Sequence, residues 1–447
     1  MKALLPSKIE ALIDALGLLA LGGLFVRWLL TGRANRAGTL MAALSLLLFV
    51  LICLQFVRQW MRFWSGGEDR PQAPEKRLPL WQIAGASLLA GLLELGLILL
   101  ARALMGDAGS LSERLRWFGE LDTGNYMDIA RWWYAPTAQA QERRLVFFPL
   151  YPLLTRGLWR LGLDPYVAGT AVSLLLYPAS NCLLYRLVCL DYPEKQARAV
   201  LKFTLLLPAA FFFVLPMSES CFFFCCLLSY VLGREKRWFA AGMAGALAAF
   251  SRSLGVLVIA PLLFEAVAAW IREPRKPGKG AFGVACCFLV LLGTMGYLGI
   301  NQHYYGDPFK FMEMEDRYWN QRMGLFFQTA AYQTDNALAD IQTPYYTSSL
   351  GIWIPNVLCI MGALLLLTLT AGKLRASYSV WFIVYFFFAV APSFLISGPR
   401  YLAAAVPIYP ALAELGGKKG LARTAALLCA AGELAYLWAF LQGWNVY

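Results

Sequence analysis

The stretch WQIAGASLLAGLLELGLILLARALM, from Trp81 to Met105, carries one acid, Glu94, and one base, Arg102. An α-helix needs about 20 mostly apolar residues to cross the hydrocarbon of a bilayer, and this stretch is long enough. Working outward, the same pattern recurs near 9–30, 37–57, 166–190, 199–215, 219–233, 237–251, 254–272, 281–301, 351–371, 377–397, 401–416 and 422–442. The segments between 199 and 251 are short, and their boundaries are the least sharply drawn. Over 447 residues the chain is 59% hydrophobic and 15% charged, with a mean hydropathy of +0.56, which excludes a string of soluble domains. The expected fold class is an all-α polytopic membrane protein with about 13 transmembrane helices. Glu10 and Asp14 sit early in the first span and no small-residue cleavage site follows, so that span reads as an anchor.

Lysine and arginine placement sets an orientation. With the amino terminus inside, the inner segments carry more than half of the 39 basic residues, mostly in short loops. Arg33 and Arg36 are a local exception. The formal charge of +12 then reads as basic loops against anionic lipid, with membrane lipids as partners and no nucleic acid. The ten cysteines all lie in or beside apolar segments without metal-site spacing. With a single histidine, no metal site is expected. No Walker, Rossmann or other glycine-rich nucleotide motif is present either, so no cofactor is expected. A soluble nucleotide-sugar donor has no visible binding site; a lipid-linked donor needs none.

In this orientation two large loops, 106–165 and 302–350, face outward, with short turns at Pro216–Glu219, Ser251–Ser253 and Ser397–Arg400. The first loop follows Trp81–Met105 directly and contains Gly119-Glu120-Leu121-Asp122-Thr123-Gly124-Asn125-Tyr126. Two roles are open for Asp122. It can cap a helix starting at Gly124, or it can serve as a reactive carboxylate beside an aromatic-rich segment. Tyr126, Ile129, Ala130, Trp133 and Tyr134 group on one helical face, and Leu154, Leu158 and Leu161 do so after Pro152. Both stretches, 125–134 and 152–163, read as interfacial helices.

Arginines concentrate near the outer boundary: Arg156 and Arg160 one turn apart, Arg252 at a span end, and Arg400 after a Gly-Pro turn. Their planar forks suit phosphate oxygens, and snorkelling to the interface is the alternative. Glu219 either orients a substrate hydroxyl or pairs with these arginines, or it is a solvated turn carboxylate. Gln302, His303 and Trp319 in the second loop, with Tyr126 and Tyr401, are candidates for holding a sugar or acceptor. The alternative for the aromatics is an ordinary interfacial belt.

The chain resembles the PIG-V family, the GPI mannosyltransferase II type of membrane mannosyltransferase with the GT-C fold. The resemblance runs from about Trp117 to Tyr409. It rests on Leu121-Asp122 with Tyr126 and Ile129-Ala130, on Phe147-Phe148-Pro149-Leu150-Tyr151-Pro152, and on Pro216-Met217-Ser218-Glu219-Ser220. It continues through Phe250-Ser251-Arg252-Ser253-Leu254-Gly255 and Gly306-Asp307-Pro308-Phe309 to Pro399-Arg400-Tyr401. Each block is short, and their order along the chain carries the likeness. Leu121 departs from it, because the family usually has Trp before the loop aspartate. Residues 1–80 have no counterpart and read as an added amino-terminal pair of helices with a basic inner loop, before a GT-C-like catalytic region at 81–447.

The resemblance implies a prokaryotic, multi-pass enzyme of the cell membrane with its active site on the outer face. The donor would be mannose on a polyprenyl phosphate, and the acceptor a hydroxyl of a glycolipid or glycan, with inversion at the anomeric carbon. Asp122 would be the general base. Arg252 and Arg400, then Arg156 and Arg160, would contact the donor phosphate. Transfer of a different lipid-linked sugar fits the same residues. A polyprenyl-lipid flippase or transporter would call for internal repeats and several charges deep in the spans; there is no clear repeat, and the mid-span acids are few (Glu94, Glu265, Glu414, Glu433). A non-catalytic subunit of a glycosylation complex fits the topology but leaves the outer constellation without a role.

Overall fold

A computed structural model describes residues 4–32, 34–107, 109–120, 122–135, 142–272 and 277–446, apart from 65–76. The described residues are all-helical, with one isolated bridge between Met323 and Pro392. Among the described residues eight helices are long and apolar enough to cross a membrane: Lys8–Thr31, Arg36–Arg62, Leu80–Leu104, Pro165–Val188, Ser253–Arg272, Gly278–Tyr305, Tyr346–Lys373 and Lys419–Leu441. The chain is therefore an α-helical, multi-pass membrane protein. Trp238–Ser251 and Ala376–Val390 are shorter apolar helices, and Glu219–Arg234 fills the 219–233 segment.

Two expected spans are not continuous helices. The 199–215 segment breaks into Glu194–Leu201, Phe203–Leu206 and a 3-10 turn at Ala210–Phe213. The 401–416 segment breaks into Gly398–Ala403 and Ile408–Leu415. Proline explains both, since Pro208 and Pro407 lack the N–H that a continuing helix needs, and Leu207 before Pro208 is extended. Broken backbone is tolerated at membrane depth only when it is buried and its polar groups find partners. Residues 209–223 are buried without exception. The Glu433 carboxylate, from the last long helix, accepts hydrogen bonds from the N–H groups of Ala210 (3.2 Å) and Phe211 (2.9 Å). Replacing Glu433 by Leu strands both donors, and each buried unsatisfied group costs about 1–3 kcal/mol. Glu433→Leu should therefore lower the thermal unfolding midpoint by clearly more than Glu433→Gln, which keeps an oxygen acceptor. Equal midpoints would show that Glu433 does not hold this turn.

The irregular stretch before Arg400 is held in the same way. Gln333 Nε2 and Asn356 Nδ2 both donate to the Leu395 carbonyl at 2.7 Å. Asn356 Oδ1 accepts from the Gly398 N–H at 3.0 Å, and the Tyr385 hydroxyl donates to the Tyr401 carbonyl at 2.8 Å. The 302–350 loop contributes to this scaffold, because it folds into Lys310–Trp319 and the largely buried Phe326–Asp340. Phe326–Asp340 also packs on Arg36–Trp64, where Asp335 accepts from the backbone N–H groups of Asn35 and Gly38. The amino-terminal pair thus docks on the helices that carry the Arg400 turn.

At the opposite end of the bundle a second ionic cluster ties three helix ends to the middle of Ile259–Arg272. Arg234 makes a two-pronged pair with Asp191, both contacts 2.8 Å, and the Tyr378 hydroxyl donates to the same carboxylate. Arg375 pairs with Glu265 at 2.6 and 2.7 Å, and Ser377 donates to Glu265 as well. All ten cysteines are free.

Candidate active site

The first-loop helix begins at Asp122 and ends at Trp132, two residues before the expected Gly124 start. It stops there because Trp133 takes a left-handed backbone (φ 60°), which a helix cannot continue through. Gly124 allows the approach to this helix: a Cβ there would lie 2.4 Å from the Gly119 carbonyl oxygen. Thr123, Tyr126, Met127, Ile129 and Ala130 are buried, and the helix packs against Leu150–Arg160. The two helices expected in the first loop are thus packed on each other, close to the expected ranges. Leu121 lies outside the described residues.

Four charges from four distant parts of the chain meet at Asp122. Arg400 donates from Nη1 to Asp122 Oδ2 at 2.8 Å. The same guanidinium donates from Nε and Nη2 to Glu219 Oε1, at 2.9 and 2.6 Å. Arg252 Nη1 reaches that oxygen too, at 2.6 Å, and the Ser218 hydroxyl at 3.2 Å. Ser218 is 2.8 Å from the Tyr126 hydroxyl. Two carboxylates and two guanidiniums alternate, so the cluster is neutral as built. Arg400 and Glu219 are 2% exposed, whereas Asp122 keeps 26% of its side chain open and Arg252 15%. The reachable members are therefore one carboxylate and one cation. Arg252 Nε and Nη2 donate to no group among the described residues. Glu219 Oε2 is buried without a hydrogen-bond partner among the described residues.

Aromatic faces frame the charges. Phe212, in the broken 199–215 segment, lies 4.7 Å from the Arg400 guanidinium, and Tyr401 lies 5.2 Å from that of Arg252. The Tyr126 ring meets Phe147 edge-on at 5.1 Å, and Phe147 meets Trp319 at 5.7 Å. A row of rings thus runs from the site to the second loop. Burial pushes the Tyr126 phenol above its ordinary range, which keeps it neutral. Burial also pushes the Glu315 carboxyl in the second loop up to about 7.

Of the residues expected at a site, Asp122, Glu219, Arg252, Arg400, Tyr126 and Tyr401 come together, with Trp319 at the end of the ring row. The remaining four are placed differently. Arg156 Nη1 donates to the Ala130 carbonyl at 3.2 Å and the Arg131 carbonyl at 3.5 Å, bracing the end of the Asp122 helix. Arg160 is exposed in the last turn of its helix. Gln302 and His303 are exposed, with His303 against Tyr304 at 4.7 Å. No hydrogen bond joins these two to the cluster among the described residues. Sequence reasoning missed Ser218 and Phe212. Ser218 had a signal, since it adjoins Glu219 in a turn; Phe212 sits in an apolar run where nothing distinguishes it.

Ligand chemistry follows from these positions. A partly exposed carboxylate can accept a proton, and a partly exposed guanidinium can hold an anion; no group of three or more metal-ligating side chains occurs among the described residues. No family model matches this sequence, and no curated protein or solved structure does either.

Proposed function

We propose that the protein is a GT-C-type glycosyltransferase that moves mannose from a polyprenyl phosphate to a hydroxyl of a glycolipid or glycan on the outer membrane face. The observation that carries this reading is the Asp122–Arg400–Glu219–Arg252 cluster, with its two partly exposed members of opposite charge. The fold expectation of about 13 spans belongs to the same proposal. Eight long helices, three shorter ones and two broken buried segments are in keeping with it.

Asp122 takes the proton of the acceptor hydroxyl as the new glycosidic bond forms. The bond between the anomeric carbon and the phosphate oxygen breaks, and the phosphate leaves with the electron pair and its charge. Attack opposite the leaving group inverts the anomeric centre. Arg252, with donors unused at Nε and Nη2, holds the departing phosphate. Arg400 has a different task, because all three of its nitrogens are engaged. It orients Asp122 and holds it to the scaffold through Glu219, so it acts as a positioning residue. Resemblance supplies mannose and the inverting course; geometry supports the base and the phosphate cation.

The test is to incubate purified protein with a panel of polyprenyl-phosphate sugars and follow hydrolysis or transfer of each. Turnover of the mannose donor is the expected result. A preference for another sugar would move the specificity. Inertness towards every donor would overturn the enzymatic reading and leave transport or a subunit role.

A further inference from the structure

We propose that Glu315 is the acceptor contact of the active site, a carboxylate that takes hydroxyls of a pyranose lying along the ring row. The inference rests on the transferase reading above and assigns the acceptor side of that site to the second loop.

Helix geometry places the carboxyl. Phe311, Glu315 and Trp319 follow at intervals of four on the Lys310–Trp319 helix and so share a face. Rings fix both ends of that face: Phe311 lies 5.3 Å from Tyr297, and Trp319 lies 5.7 Å from Phe147. Phe148 stacks on Tyr297 at 3.9 Å, so the face rests on an aromatic wall that continues through Phe147 to Tyr126. Glu315 stands between the two anchors, half-buried. It also belongs to the surroundings of the reactive cluster. The Tyr401 phenol feels the charges of Arg252, Arg400, Asp122 and Glu315 together.

The helix carries three acids, and the other two are satisfied. Glu313 pairs with Lys310 at 2.6 Å and with Arg317 at 3.0 Å. Asp316 makes a two-pronged pair with Arg322, at 2.7 and 2.9 Å. Burial alone acts on the Glu315 carboxyl, with no neighbouring cation or hydrogen bond to oppose it. The elements around it supply no partner among the described residues. The Glu142–Val146 turn packs on this helix, but its Glu142 pairs with Arg317 at 3.4 Å and its Arg144 with Asp128 at 2.7 Å. Arg143 is exposed. Leu291–Tyr305 brings Tyr297, and Gly398–Ala403 brings Tyr401 beside an Arg400 already committed to Asp122 and Glu219.

Keeping an acid in this place works against folding. With its carboxyl pushed up to about 7, the folded chain still holds a proton that the unfolded chain has released, so stability falls as pH rises to 7. A ligand supplies what the protein withholds. An ionised carboxylate is purely an acceptor, hydroxyls donate to it, and the apolar face of a sugar lies on the neighbouring rings. The charge repels the donor phosphate, and Glu315 stands one helical turn from Trp319, at the second-loop end of the ring row. The Arg252 side is thereby left to the donor and the Glu315 side to the acceptor.

Saturation-transfer NMR of the full-length protein with methyl α-mannoside, methyl α-glucoside and methyl α-galactoside, at pH 6 and pH 8, tests the contact without requiring turnover. The parent should bind at least one of the three, more tightly at pH 8 than at pH 6. At pH 8, Glu315→Gln should bind it about tenfold more weakly, as expected for a lost hydrogen bond to a charged group, and should show no step between the two pH values. Glu313→Gln should keep both the affinity and the step. Glu315→Gln should also melt at or above the parent midpoint at pH 8, because it removes an uncompensated charge. No binding of any of the three by the parent would overturn the proposal, as would parent-like affinity or the same pH step in Glu315→Gln. A lowered midpoint in that variant would overturn it too, by making the carboxyl a structural group. Failure of the transferase reading is distinguishable, since it shows as inertness towards every polyprenyl-phosphate sugar and leaves this binding intact.

Discussion

Asp122→Asn protein should enter the membrane and melt as the parent does, yet transfer mannose about 10²–10⁴-fold more slowly, the range that a general base contributes. The substitution suits the geometry. An asparagine oxygen still accepts from Arg400 Nη1, now 2.8 Å from Asp122 Oδ2, so the link to Glu219 persists. What disappears is the ability to take the acceptor proton. The loss should fall on turnover more than on donor binding, since the proposed phosphate contact is Arg252. Single-turnover transfer with bound donor separates the two. A rate within a few-fold of the parent would remove Asp122 from the chemistry and leave it a first-turn carboxylate at the positive end of its helix.

The largest stability effect is expected at Glu219. Its Oε1 is the shared acceptor for both arginines. In Glu219→Ala, Arg400 stays 2% exposed with Asp122 as its one remaining carboxylate, and Arg252 keeps the Ser218 hydroxyl. Breaking a buried ion pair by removing one partner costs about 3–5 kcal/mol, because the remaining charge is left uncompensated. The yield of folded protein and the thermal midpoint should drop further than for Asp122→Asn. A second change gives the diagnostic: Glu219→Ala/Arg252→Ala removes the excess cation and should recover part of the midpoint, a non-additive outcome. Additive losses would mean that the two side chains do not act as a unit. No loss at all in Glu219→Ala would mean that the cluster is a solvated surface pair.

Much of the site was legible because its members stand at turns. Glu219 follows Pro216-Met217-Ser218, Arg252 ends a helix, and Arg400 follows Gly398-Pro399, so all three were visible as charges at span ends. Arg156 looked the same by that criterion. Its donation to the Ala130 and Arg131 carbonyls depends on the angle between two short helices, which a linear pattern does not carry. The burial of Arg400 was not legible either, since it arises from elements on every side. The broken segments mark the limit for the fold. Residues 199–215 and 401–416 are as apolar as true spans; Pro208 and Pro407 were the signal that they break.

Sequence alone determined that this is a membrane protein of many helices, and which charges stand at their ends. Continuous apolar length decides membrane crossing, because each helix satisfies its own backbone and lipid accepts the rest. Tertiary structure alone decided which of those charges meet. Asp122 and Arg400 are 278 residues apart in the chain and 2.8 Å apart in the fold. Their meeting depends on two broken segments, on Glu433 satisfying buried N–H groups of the first, on Asn356 holding the turn that leads into the second, and on Gly124 letting a short helix close against its own lead-in. Packing of that kind is a property of distant surfaces fitting together, so no local stretch of the chain contains it.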